Sequence, residues 1–206
     1  MITRRSFLVA AASLAMAGCS AARPDSASSG ANSSASTTGA GEAQTGARTL
    51  VMCFSATGNT RGVARALAGA IGADYLEIEP EQPYTEHDLD YDDETTRATV
   101  EQRDGTARPG IASAMPEWGD YDVILFGHPI WWETVPRIMC TLFEQNAAAL
   151  AGKRLADFCT SGGSGIGRAT DELKGIVPDA EWGVGRRFEA SASAEEVAAW
   201  AQGLGF

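Results

Sequence analysis

The chain has 206 residues, 44% of them hydrophobic and 21% charged, enough apolar material for one domain with a sizeable core. A formal net charge of −11 argues against nucleic acid as a partner, because phosphate contacts need clustered Lys and Arg. It also repels an anionic lipid surface, so any membrane link is expected to be covalent; the acidity serves either solubility or docking to a basic patch on a partner.

The first element is "MITRRSFLVAAASLAMAGC", residues 1–19, with Arg4-Arg5 ahead of an apolar stretch from Phe7 to Ala17. That stretch is too short for a hydrocarbon core of ~30 Å, so it reads as an export signal and not as a membrane helix. "TRRSFL" resembles the twin-arginine type, whose pathway carries folded proteins. "LAMAGC" resembles a lipobox, with Cys19 as the lipid-bearing residue and Met16 where Leu is usual. The alternative is an ordinary cleaved signal with an incidental cysteine. In residues 20–46, 21 of 27 positions are Ser, Ala, Gly or Thr. Such a segment lacks the apolar surface to order itself and reads as a leash, with a reach of ~25–30 Å r.m.s.. The folded domain is expected over residues 47–206.

Strand and helix signals then alternate. "RTLVMCF" is β-like, and residues 58–72 follow with Val63, Ala66, Leu67, Ala70 and Ile71 at helical spacing. "DYLEIEP" is a second strand. Residues 80–118 form a long acidic segment with a short helix across 92–103, expected as a lid or rim on the binding edge. "YDVILFG" is a third strand, apolar nearly throughout, as suits a strand buried on both faces. A helix from Val135 to Ala149 places Ile138, Leu142 and Phe143 inward. "KRLADFCT" is the fourth strand, 166–176 a helix, "RRFEA" the fifth strand, and "SAEEVAAWAQGL" a capped helix. Such alternation predicts an α/β fold with a parallel sheet covered on both faces.

Cysteine and histidine offer no metal or nucleophile. Beyond Cys19 there are Cys53, Cys140 and Cys159, without a CxxC pair, and they read as buried small hydrophobes. His87 and His128 have no ligand-like neighbours. No catalytic residue and no metal ligand is assigned.

Three loops at strand ends carry the chemistry. "SATGNT" (Ser55, Ala56, Thr57, Gly58, Asn59, Thr60) is rich in hydroxyls and opens a helix, where freed N–H groups and the dipole can hold a phosphate without a cation. It lacks the Gly-Lys-[Ser/Thr] of a Walker loop. "GHPIWWETVPR" sets Trp131 and Trp132 side by side, and one is expected in the core with the other over a flat apolar ligand. "TSGGSGIG" offers Gly162, Gly163 and Gly165 for close backbone approach. As a dinucleotide fingerprint that loop fails at Arg168.

Together these motifs resemble a bacterial flavodoxin-like family, over most of residues 48–188. The resemblance implies a three-layer sandwich around a five-stranded parallel sheet in order 2-1-3-4-5, with FMN at the switch between the first and third strands. It implies Ser55, Ala56, Thr57, Gly58, Asn59 and Thr60 around the phosphate. Pro129, Ile130, Trp131 and Trp132 would line the isoalloxazine, with Glu133 beside them. Ser161, Gly162, Gly163 and Gly165 would approach the pyrimidine side and the ribityl chain. Two departures stand out. The third loop has no aromatic where many flavodoxins stack a tyrosine, so one ring face is expected to be open. Glu133 stands where relatives often have Gly; near the ring it would lower the potential, and turned to solvent it would do nothing.

The function expected is an exported, lipid-anchored FMN redox protein at the outer face of the cytoplasmic membrane or in the periplasm. Its electron donor and acceptor are not named by the sequence. A quinone or small-molecule reductase, and a flavin-free binding module on the same fold, are the alternatives.

Overall fold

The structure is a computed structural model that describes residues 47–206. The signal expected at 1–19, including Cys19, and the linker at 20–46 lie outside the described residues.

The sheet starts with β1 (Thr49–Phe54), whose side chains alternate between two apolar cores. Leu50, Met52 and Phe54 enter one core, Val51 and Cys53 the other, and all five are buried. A strand sealed on both faces gains nothing from polar alternation, which is why its sequence is apolar throughout. β2 (Asp74–Ile78) and β3 (Val123–Pro129) pair in parallel on either side of β1. β4 (Arg154–Thr160) follows next to β3. The strand order is β2-β1-β3-β4-β5, as expected.

The fifth position departs from the expectation of one strand. It is filled by two short pieces, β5 (Glu181–Trp182) and β6 (Arg186–Phe188), both parallel to β4. The break falls at Gly183-Val184-Gly185. There the backbone passes so close to β4 that a Cβ on Gly185 would lie 2.5 Å from Asp157 Oδ1 and 2.8 Å from Thr170 Oγ1. Only glycine fits that approach.

α1 (Asn59–Ile71) and α5 (Ala194–Gly203) cover one face, through Val63, Ala64, Leu67, Val197 and Trp200. α3 (Arg137–Leu150) and α4 (Gly167–Ile176) cover the other, through Ile138, Leu142, Phe143, Ala169 and Leu173. The buried stripe of α1 is rotated from the expected one: Ala64 and Ala68 are buried, whereas Ala66 and Ile71 are half-buried and Ala70 is exposed. Thr60 sets this phase, because its hydroxyl points inward and meets that of Thr160 on β4 at 2.8 Å. α5 is capped as its sequence predicts, with the Ser193 hydroxyl accepting the Glu196 N–H at 3.2 Å. The acidic segment after β2 holds α2 (Arg97–Arg103), five residues shorter at its start than the helix expected from 92.

Candidate functional site

In this strand order the chain leaves β1 on one side of the sheet and β3 on the other, which opens a crevice at their carboxyl ends. The loops after β1, β3 and β4 all meet there. They enclose a cavity of about 360 Å³.

The first loop contributes Ser55, Ala56, Thr57 and Asn59 to the cavity wall. Its turn is closed from within, as the Ser55 hydroxyl accepts the Gly58 N–H at 3.1 Å. Gly58 adopts φ +94°, which a side chain would strain. α1 begins at Asn59 with no side-chain cap and no acidic residue in its first turn. Its leading N–H groups and positive dipole end are therefore left to an external anion. Thr60 does not reach the cavity wall, since its hydroxyl is spent on Thr160.

The second loop supplies Pro129, Ile130 and Trp131. Trp131 is both core and wall: it is 3% exposed, packs edge-on to Phe54 and Tyr84, and still borders the cavity. Trp132 is half-buried and sits outside the lining, its ring 4.7 Å from that of Tyr91. The two tryptophans diverge because Trp131 and Thr134 close a tight turn, exchanging N–H···O bonds of 3.0 and 3.1 Å. That turn forces φ +45° on Trp132 and +64° on Glu133. The Glu133 carboxylate leaves the cavity and pairs with Arg168 Nη1 at 2.5 Å, both side chains about two-thirds exposed. It is thus neither beside the cavity nor free in solvent.

The third loop brings Ser161 and Gly162 to the wall. Gly163 lies just behind, its N–H donating to the Ser161 hydroxyl at 3.2 Å, and Gly165 is not among the lining residues. The open space around Gly162, Gly163 and Gly165 leaves room for a ligand to approach this backbone.

Several lining residues were not foreseen. Thr160, Glu189 and Ala190 join at the ends of β4 and β6. Tyr91 reaches the cavity from the acidic segment, so the aromatic missing from the third loop is supplied by another element. The segment forms a rim. It is also a brace: the Gln102 amide on α2 donates to the Trp131 and Val135 carbonyls at 3.1 and 2.9 Å. Its oxygen accepts the Arg137 N–H at 3.1 Å. Tyr91 had a signal, as the lone aromatic in "DLDYDDE"; Gln102 had none.

Among the described residues no Lys, Arg, His or Cys borders the cavity. Burial pushes the thiols of Cys53 and Cys140 up to about 11 and that of Cys159 to about 12, so none is a ready nucleophile. Among the described residues no group of His, Cys, Asp and Glu could hold a metal ion.

A parallel α/β sheet with a donor-rich, cation-free cavity at its topological switch defines the flavodoxin-like class. The chain belongs to the flavodoxin family, whose model matches residues 48–204. Among solved structures, a candidate flavoprotein from Bacteroides eggerthii is 40% identical, with a TM-score of 0.73 over 78% of this chain and 99% of its own. One from Bacteroides uniformis is also 40% identical, with a TM-score of 0.70 over 76% and 99%. A Lactobacillus acidophilus flavoprotein solved in complex with FMN is 21% identical, with a TM-score of 0.59 over 76% and 99%, a likeness of fold. Comparison with curated proteins returns no significant match.

Proposed function

We propose that this protein is an FMN-binding redox protein that is exported and held at the outer face of the cytoplasmic membrane by a lipid on Cys19. The observation that carries the flavin reading is the convergence of three loops on one cavity whose anion end has backbone donors and no Lys or Arg among its lining residues, the nearby Arg61 being paired with Glu77. A nucleoside triphosphate would want a lysine there, whereas the single phosphate of FMN is met by N–H groups and hydroxyls. The donor set fits FMN, and family membership supports it.

Ser55, Thr57 and Asn59 hold the phosphate together with the first N–H groups of α1. Pro129, Ile130 and Trp131 offer the flat apolar wall for the isoalloxazine, with Tyr91 and Trp132 keeping water from its edge. Ser161 and Gly162 give polar groups to the ring's pyrimidine side and the ribityl chain. Bound FMN supplies the electron transfer; the protein positions it and tunes its potential.

The anchor reading rests on the "LAMAGC" motif and on the twin-arginine signal, which suits a protein that must take up a non-covalent cofactor before export. Among the described residues no helix is long and apolar enough to cross a membrane. The acidic chain would meet its redox donor and acceptor through a basic patch on each. Nucleic acid is not a partner on this reading.

The visible spectrum of the purified 47–206 domain tests the cofactor: a yellow protein with flavin absorbance is expected, and a colourless one that takes up no FMN would leave a flavin-free binding module. Thr57→Val with Asn59→Ala should release FMN, and retained stoichiometric flavin would overturn the phosphate-loop assignment. Steady-state reduction of quinones by a nicotinamide donor would mark a reductase instead of a carrier. Cys19→Ala should free the protein from membranes.

A further inference from the structure

Directly beneath the second and third loops lies a polar cluster in an otherwise apolar core. His128, the second-last residue of β3, and Asp157 on β4 are both fully buried. His128 Nδ1 lies 3.0 Å from the Pro129 carbonyl, and its Nε2 lies 3.4 Å from Asp157 Oδ2. The Thr170 hydroxyl on α4 lies 2.9 and 2.7 Å from the two Asp157 oxygens. Gly185, in the gap between β5 and β6, closes the cluster: a Cβ there would meet Asp157 Oδ1 and Thr170 Oγ1.

The chain of contacts runs between two loops of the cavity. Pro129 and Ile130 line it, and Thr170 stands in the first turn of the helix that the third loop opens. A carbonyl can only accept, so Nδ1 must carry a proton to bond Pro129. The second contact then needs a further proton between Nε2 and Asp157, donated from one side or the other. A buried polar group left without its partner is costly, so the cluster has a strong preference for one arrangement.

We propose that His128, Asp157 and Thr170 form a buried relay that positions the second loop against the third, with His128 as its central positioning residue. The proposal rests on the reading of the cavity as a flavin site, and its effect is on FMN binding. His128 fixes the Pro129 carbonyl and with it the direction in which Ile130 and Trp131 leave β3. Asp157 transmits that orientation to α4 through Thr170.

The test uses the full chain and FMN titration followed by quenching of flavin fluorescence. His128→Phe keeps a planar ring and removes both ring nitrogens; it should weaken FMN binding about tenfold, the scale of one lost buried hydrogen bond to a charged partner. Thr170→Val should weaken it less. Asp157→Asn should keep near-wild-type binding, because the amide can donate to Nε2 while its oxygen accepts from Thr170. The chain has only two histidines, so nitrogen-15 labelling of histidine reads the relay directly. A slowly exchanging Nδ1–H signal that is absent from His128→Phe is expected in flavin-free protein. If wild type binds FMN and a folded His128→Phe binds equally well, or if a folded Asp157→Asn loses binding as far as His128→Phe does, the relay is overturned. If wild type itself takes up no FMN while the protected Nδ1–H is present, the flavin reading fails and the relay's geometry stands.

Discussion

Glu133 sits at φ +64° in a turn of two consecutive left-handed residues, a conformation that costs a non-glycine residue about 1–2 kcal/mol. Its carboxylate is engaged only with Arg168 at the surface, and exposed pairs contribute little. Glu133→Gly should therefore stabilise the domain by about 0.5–1 kcal/mol after the entropy of the added glycine is counted. A higher urea midpoint at unchanged slope is the expected result, with the flavin spectrum unaltered. A lower midpoint would mean that the carboxylate holds the turn together. Tyr91 makes the opposite case, since its value lies in what it covers. More than half of its surface is exposed, yet its ring packs on Trp132 at the cavity rim. Tyr91→Ala should leave stability unchanged and raise the FMN dissociation constant by up to about tenfold, in line with an aromatic contact worth about 0.5–1.5 kcal/mol. Equal affinity in wild type and variant would remove Tyr91 from the site.

At the scale of elements, the split fifth strand ranks two glycines. A Cβ on Gly185 would press on the Asp157 carboxylate and the Thr170 hydroxyl, both fixed by each other. A Cβ on Gly183 would meet the outer ends of the Phe206 and Leu204 side chains at 2.8 and 2.9 Å, which can yield by rotating away. Gly185→Ala should cost about 1–3 kcal/mol and Gly183→Ala less, as two urea curves would show. The reverse ranking would place the tight approach at the wrong end of the gap. The strands and helices themselves were legible, because each is long enough to show its period: β3 is apolar throughout, and Ile138, Leu142 and Phe143 repeat on α3. β5 was not, since two residues carry no period. The three loops were legible as ligand-shaped because hydroxyls, glycines and a tryptophan pair, the last costly to leave in a loop without a use, gather at the ends of three strands. Tyr91 and Gln102 act across 41 and 29 residues of chain, on Trp132 and Trp131, and nothing local in their sequence encodes those contacts.

For the whole molecule, the distribution of buried acids sets the pH range in which the fold survives. Cys53 and Cys140 lie in the two cores that sandwich the sheet, Cys159 is buried on β4, and burial is the largest cause of each raised value. Burial likewise raises Tyr75 and Tyr84, whose hydroxyls are also hydrogen-bonded, to Cys53 and Glu101 respectively. In each case the folded state favours the protonated, uncharged form. The stability so contributed is fully present below the unfolded thiol value of about 8.5 and is lost as pH climbs towards the folded values of about 11 to 12. Between those limits the unfolded chain gives up three thiol protons that the native chain keeps. Each contributes a slope on the order of 1.4 kcal/mol per pH unit, so unfolding should become steeply easier above pH 9 while remaining nearly flat between pH 7 and 8. Urea midpoints of the 47–206 domain at half-unit steps from pH 7 to 10.5 would trace this. Between about pH 8.5 and 9.5, below the range where unfolded tyrosines ionise, Cys140→Ala should lower the slope by about one third, since one of three titrating thiols is gone. A profile that stays level to pH 10.5 would show that the thiols ionise alike in both states, and so that the two cores admit water where the packing closes them.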